Sequence, residues 1–195
     1  MDKRHYEIAI IFKNTADKIK NILNKHPKFE RGNMAFAIFR VNPKGKLQSK
    51  HWLAHSRVNT RSDLDLVRKK IPDSDLKKLP NDFAWLIPEK ELRSFEYSEP
   101  ENIKENEKID GEYFRARCTE KKIIEALAHY LTPYKHHKIE QECELIMFTE
   151  RTPCETCKEL IEKFREEFPF VNVTIYDNNF IARAEYYMKQ KNSDK

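Results

Sequence analysis

The sequence predicts an α/β fold in which a mixed β-sheet is flanked by helices. Apolar residues recur every three or four positions in four separate segments, which indicates amphipathic helices. Short runs rich in β-branched and aromatic residues lie between them and read as strands. In the C-terminal half the order is strand, helix, strand, which predicts a parallel pair joined by a crossover helix.

The chain begins with a helix. Apolar residues from Ile8 to Leu23 share one helical face, which predicts a helix over roughly residues 4–25. His26 ends it, because a residue before proline is pushed out of helical space. We expect an N-terminal amphipathic helix in residues 1–31 and a main domain in residues 32–195.

The main domain opens with a predicted hairpin at 34–55. Its two β-rich runs, 34–41 and 46–55, flank the turn sequence NPKG. Residues 60–112 are interrupted by prolines and predicted to be an irregular insert, and a connection of this length is usually functional.

Regular elements return in the core at 113–177. A helix begins at Thr119, a strand covers ELIMF at 144–148, and a second helix follows Pro153. A second strand covers VNVTIY at 171–176, and a C-terminal helix is predicted at 178–191.

The composition excludes a membrane-spanning protein. The 195 residues are 35% charged, with a mean hydropathy of −0.84. No apolar run approaches the roughly 20 residues that span a bilayer. The opening stretch MDKRHYEIAIIFKN is too short in its apolar part for a secretory signal. We therefore expect no membrane partner and action in the cytoplasm.

Charge is unevenly distributed. Residues 1–70 contain 17 Lys and Arg against 6 Asp and Glu, a net charge of +11, whereas the remainder carries 20 against 26, a net charge of −6. A basic segment on a mildly acidic body suits a polyanionic partner such as nucleic acid. A solvated lysine-rich surface explains the same charge, and charge alone does not separate the two.

Three of the four cysteines lie at predicted helix starts. Cys118 precedes one helix, and Cys154 and Cys157 stand in the first turn of another. Helix N-termini favour negative charge and lower thiol pKa, so these residues are natural thiolates. Three thiolates with one open position form the layout of a catalytic zinc site.

Glu120 lies two residues past Cys118 and can stand beside the metal without binding it, as a proton shuttle requires. Cys-x-Glu followed by Pro-Cys-x-x-Cys is the zinc-deaminase signature in its three-cysteine form. The alternatives are a structural zinc site completed by Cys143 and a thioredoxin-like redox pair.

Three segments resemble the deaminase domains of bacterial polymorphic toxins, which belong to the cytidine-deaminase-like superfamily. They are GNMAFAIFRVNPKGKLQSKHWLAHSRVN, RARCTEKKIIEALAHYL and ELIMFTERTPCETCKELIEKFREEFPFVNVTIY. The resemblance implies a three-layer cytidine-deaminase-like fold with Zn²⁺ held at two helix N-termini. It also implies hydrolytic deamination of cytosine to uracil in nucleic acid. DNA is expected more than RNA, single-stranded or with a flipped-out base.

The resemblance assigns roles to individual positions. Cys118, Cys154 and Cys157 match the zinc ligands, and Glu120 matches the catalytic acid and base. The substrate-binding candidates are His55, Ser56, Arg57, Asn59 and Pro153. Three thiolates make zinc less electrophilic, so we expect electrostatic support from Arg117 and Arg151, which flank the ligands.

The resemblance also implies a bacterial origin, an immunity protein as partner and delivery as part of a secreted toxin. Two other functions stay open. The first is a free cytidine or nucleotide deaminase, with the insert as a cap over its pocket. The second is a non-catalytic, zinc-stapled interaction module. Adenine also stays open as the target base.

Overall fold

The structure is a computed structural model, which describes residues 3–24, 27, 29–30, 32–41, 48–59, 61–70, 72, 74, 82–83, 94–95, 108–109, 112–113, 118–132 and 143–193. Its elements, in chain order, are α1 (Lys3–Leu23), β1 (Met34–Val41), β2 (Gln48–His55), α2 (Arg61–Lys70), β3 (Asp82–Phe83), β4 (Lys108–Ile109), β5 (Glu112–Tyr113), α3 (Thr119–Leu131), β6 (Cys143–Thr149), α4 (Glu155–Glu167), β7 (Val171–Asp177) and α5 (Asn178–Ser193).

A mixed sheet lies at the centre, with strands in the order β3-β2-β1-β6-β7. β1 pairs antiparallel with both β2 and β6, so that Ala35 stands opposite Ala54 on one side and Thr149 on the other. β6 and β7 are parallel, as the strand–helix–strand order predicts, and α4 is the crossover between them.

Helices cover both faces of this sheet. Side chains alternate between the faces of a strand. Ala35, Ala37 and Leu145 face α3 and α4, whereas Phe36 and Ile146 face α1 and α5. The fold is therefore the predicted α/β arrangement in three layers, with one core on each side of the sheet.

Helix α1 packs against the sheet through a narrow stripe. Its buried residues follow heptad spacing and include two alanines, which let the helix approach closely; they are Ala9, Phe12, Ala16, Ile19 and Leu23. Ile11, predicted to share the apolar face, is 62% exposed, because it lies beside this stripe.

Residues 60–112 contain regular structure that the sequence analysis did not predict. Helix α2 occupies Arg61–Lys70, and β3 pairs in parallel with the end of β2. β4 and β5 form a two-stranded hairpin of their own. The prediction of an irregular insert is wrong for these parts. α2 has ten residues, too few for the apolar periodicity of a longer helix to appear.

The predicted NPKG turn lies outside the described residues, and so do positions 46 and 47 of the predicted second strand. Within the part of the chain that the structure describes, no helix is long and apolar enough to cross a bilayer.

Candidate functional site

Three cysteine thiols converge between the N-termini of α3 and α4. Cys118 is the N-cap residue of α3, Cys154 is the N-cap residue of α4, and Cys157 lies in the first turn of α4. The Cys154 Sγ atom lies 3.5 Å from the Sγ atoms of both Cys118 and Cys157. All three sulfur atoms lie within 4.8 Å of one another and are buried, so the group can hold a metal ion.

The topology explains why residues 36 positions apart meet. A parallel crossover returns the chain to the same edge of the sheet, so α4 starts beside the C-terminal end of β6. Helix α3 packs next to α4 and starts at the same edge. Both helices therefore direct their partly positive N-termini toward the three thiols, which stabilises negative charge there.

Contacts among the three thiols shift their pKa values in opposite directions. Contacts with Cys118 and Cys157 lower the pKa of the Cys154 thiol well below its usual value. The hydrogen bond with Cys154 raises the pKa of Cys118, and contact with Cys118 raises the pKa of Cys157. A cation bound by all three as thiolates must therefore displace protons from Cys118 and Cys157.

Glu120 lies beside this cluster, in the first turn of α3. Its Oε2 atom is 3.9 Å from Cys157 Sγ, yet the residue is not a member of the metal-binding group. Thr149 donates a hydrogen bond to Oε1, and Thr119 donates one of 3.2 Å to Oε2. Burial raises the pKa of the Glu120 carboxyl above its usual value, although these hydroxyl groups oppose the shift. A carboxyl group with a raised pKa can both accept and release protons near neutral pH.

The two threonines and Asn33 were missed by the sequence analysis. Asn33 Nδ2 donates to the hydroxyl oxygen of Thr119 at 3.0 Å and to that of Thr149 at 3.5 Å. One signal was available: Thr149 ends the apolar strand on the face where Leu145 and Met147 point toward α3.

The segment after β2 is held by internal contacts. Lys122 Nζ donates to the carbonyl oxygens of His55 and Val58, at 2.9 and 2.6 Å, and to Asn59 Oδ1 at 2.8 Å. Asn59 Nδ2 donates to the Ser56 carbonyl at 3.0 Å. Ser56 Oγ accepts the N–H of Asn33 at 2.9 Å, which joins this segment to the start of β1.

Of the four substrate-binding candidates at the end of β2 and just after it, His55 has the position least suited to contact with a substrate. It is fully buried and packs edge-to-face on Phe29, on the sheet face covered by α1 rather than the face carrying the thiols. Its ring fills the space at Gly32, where an added Cβ would lie 1.9 Å from His55 Cε1. Burial, reinforced by the charge of Lys122, lowers the pKa of His55 to about 4. Arg57 is exposed, and its N–H donates to His55 Nδ1 at 3.1 Å.

The other candidate residues lie near the thiol cluster, at the far end of β6 or outside the described residues. Pro153 is partly buried and directly precedes Cys154, so it stands one position before the cap rather than within the helix. Arg151 is exposed in the turn that leads to it. Arg117 lies outside the described residues. Cys143 begins β6 at the end opposite Thr149, six strand positions or about 20 Å away, too far to be a fourth ligand.

The sequence of the chain also matches a known protein family. A model of the toxin-deaminase family, described as the BURPS668_1122 family of deaminases, matches residues 14–179, which is more than half of the chain. No curated protein matches the chain significantly, and no solved structure does.

Proposed function

We propose that this chain, which belongs to the toxin-deaminase family, is a zinc-dependent hydrolytic deaminase that converts cytosine to uracil in nucleic acid. The observation that carries the proposal is a buried carboxyl group next to three convergent thiols. A purely structural metal site needs four protein ligands and no proton shuttle. Within the described residues, the group has three possible ligands.

The donor set fits zinc. Sulfur atoms bound to one tetrahedral zinc ion at about 2.3 Å stand about 3.8 Å apart. The Cys118–Cys154 and Cys154–Cys157 sulfur pairs are each separated by 3.5 Å, so these thiols need only small adjustments to bind zinc. Cys118, Cys154 and Cys157 would hold the ion, which supplies the Lewis acidity that lets a water molecule lose a proton near neutral pH.

Glu120 performs the proton transfers in this proposal. Its carboxylate takes a proton from the attacking water, whose oxygen forms a bond to C4 of cytosine. The carboxyl group gives this proton to the ring nitrogen N3, then takes the second proton of the former water oxygen, now bound to C4, and gives it to the departing amine. The C4–N4 bond breaks, and cytosine and water become uracil and ammonia. The hydroxyl groups of Thr119 and Thr149 hold the carboxylate in place during these steps.

A nucleic acid substrate is supported by the charge of the N-terminal segment. Residues 1–70 carry a net charge of +11, and Lys3, Arg4 and Lys18 of α1 are exposed. Helix α1 reaches the site edge of the sheet, where Lys20 pairs with Glu150 in the turn before Cys154. Cations at this edge would contact phosphates while one unpaired or flipped base enters the site.

The test is a substrate panel for the zinc-loaded protein. It is incubated with single- and double-stranded DNA and RNA and with free cytidine, and sequencing reports C-to-U and A-to-I changes. We expect C-to-U changes in a polymer, with binding that weakens steeply as salt rises. Activity on cytidine alone would identify a nucleoside deaminase. Bound zinc without activity on any member of the panel would identify a binding module.

A further inference from the structure

Each carboxylate oxygen of Glu120 receives a hydrogen bond from a threonine hydroxyl. Thr149 donates to Oε1 from the end of β6, and Thr119 donates to Oε2 from the first residue of α3. A hydroxyl group has one proton and rotates freely unless a neighbour fixes it. The orientation of Glu120 therefore depends on whatever directs these two protons.

A single amide group contacts both hydroxyls. Asn33 Nδ2 lies 3.0 Å from the hydroxyl oxygen of Thr119 and 3.5 Å from that of Thr149. An amide nitrogen only donates, so each hydroxyl oxygen accepts from Asn33 and sends its own proton to Glu120. The reversed amide would present an oxygen to both hydroxyls and draw their protons away from the carboxylate.

The backbone around Asn33 is fixed on both sides. Asn33 exchanges two hydrogen bonds with Ser56, one from its N–H to Ser56 Oγ and one from the Ser56 N–H to its carbonyl, each 2.9 Å long. The N–H of Met34 donates to Glu150 Oε2 at 2.8 Å. Strand alternation then directs the Asn33 side chain to the face of Ala35, toward α3.

We propose that Asn33 is a positioning residue for deamination, acting on Glu120 through the hydroxyl groups of Thr119 and Thr149. This inference rests on the proposed function, in which Glu120 moves the protons. Proton transfer requires the carboxylate at a fixed distance from the reacting atoms. Loss of the Asn33 amide should therefore reduce turnover and leave substrate binding and zinc binding intact.

The first experiment replaces Asn33 by leucine, which has a similar volume and no donor. We expect kcat on the best substrate of the panel to fall about 10- to 100-fold. Losses of this size are typical when a residue that orients a functional group through hydrogen bonds is removed. KM and zinc content should stay within about twofold of wild type. Asn24→Leu is the matched control, because Asn24 Oδ1 is also buried but Asn24 lies at the end of α1 and has no described contact with Glu120.

A double-mutant cycle separates positioning from a general structural role. In a Thr119→Val, Thr149→Val background the amide has no hydroxyl to direct, so Asn33→Leu should change kcat by less than about twofold. An equal loss of kcat in both backgrounds overturns the inference. Crystal structures give a readout independent of turnover, in which the Glu120 carboxylate should be displaced in Asn33→Leu.

Asn33→Asp covers the case in which the leucine variant does not fold. It keeps the shape of the side chain and replaces the donor by an acceptor, so kcat should again fall at least about tenfold. If the wild-type protein is active and a folded Asn33 variant has the same kcat, the inference about Asn33 is overturned, but the proposed function is not. A wild-type protein that binds zinc and deaminates nothing overturns the proposed function, and the inference falls with it.

Discussion

Thr149, the last residue of the central strand β6, donates a hydrogen bond to the carboxylate of Glu120 in the first turn of α3. This contact joins the sheet to the helix whose N-cap residue, Cys118, supplies one thiol of the cluster. It fixes the buried carboxyl group beside the cluster but outside the set of ligands. A group in that place can exchange protons without competing for the metal.

Replacement of Glu120 by glutamine should separate proton transfer from metal binding. The amide keeps the shape of the carboxyl group but cannot accept the proton of the attacking water. We expect kcat to fall about 10²- to 10⁴-fold. Zinc content, measured by plasma mass spectrometry, should equal that of wild type.

Glu125→Gln is the matched control for this variant. Glu125 is buried in the same helix, but its Oε2 atom accepts the N–H of Ser94 at 2.9 Å, away from the thiols. The amide oxygen can accept the same bond, so activity should be close to wild type. Equal losses in the two variants would argue against a special role of Glu120.

Serine substitutions should show which cysteines bind the metal. Cys154→Ser and Cys157→Ser each remove one thiolate of three, so both proteins should be purified with little zinc and no deaminase activity. Cys143→Ser changes a buried cysteine at the far end of β6 and should retain one zinc ion per chain. Full zinc occupancy in Cys154→Ser would contradict the assignment.

Lys122→Met should destabilise the fold through the segment after β2. The Lys122 side chain is buried, and its ammonium group donates hydrogen bonds to three oxygen atoms: His55 O, Val58 O and Asn59 Oδ1. Methionine has no donor, so all three oxygen atoms would lose this hydrogen bond. We expect the free energy of unfolding in urea to drop by about 3 kcal/mol. Lys18→Met, at an exposed position of α1, should change it by less than about 0.5 kcal/mol.

Acid should destabilise the protein through His55. Its pKa is about 4 in the folded state, against 6.5 for the unperturbed group. Between these values the unfolded chain binds a proton that the folded chain does not bind. The contribution of His55 to stability is therefore full above pH 6.5 and falls as the pH decreases toward 4. The shift corresponds to about 3 kcal/mol.

The measurement compares urea unfolding of wild type and His55→Asn from pH 7 to pH 4. Asparagine keeps an acceptor for the Arg57 N–H but does not titrate. Contributions of other groups, including Glu120 and the thiols, cancel in the difference between the two proteins. The stability advantage of wild type should shrink on acidification, and a constant difference would contradict the expectation.

Local sequence patterns sufficed to predict the thiol cluster and the framework around it. The spacing of Cys118, Glu120, Cys154 and Cys157 places these residues relative to helix starts, and helix starts are encoded locally. The strand–helix–strand order then brings the two starts to one edge of the sheet. The structure brings the three cysteines together there.

The partners of Glu120 could not be predicted in the same way. Asn33 and Thr149 meet because β1 pairs with β6 in one register, and Thr119 joins them because α3 packs against the sheet. A pairing register between distant strands leaves no local trace in the sequence. The orientation of His55, by contrast, follows from the strand pattern. Side chains alternate along β2, so His55 points to the face opposite that of Trp52 and Ala54. Applied to β2, that rule would have predicted its orientation.

The parts around Glu120 come from four separated stretches, at Asn33, Cys118–Glu120, Thr149 and Cys154–Cys157, which meet only in the folded chain, where β1 pairs with β6 and α3 packs beside α4. A nascent or proteolytically shortened chain lacking any of them holds no complete reaction centre. If the proposed function holds, deaminase activity should therefore start abruptly, when folding is complete, rather than grow gradually as synthesis proceeds.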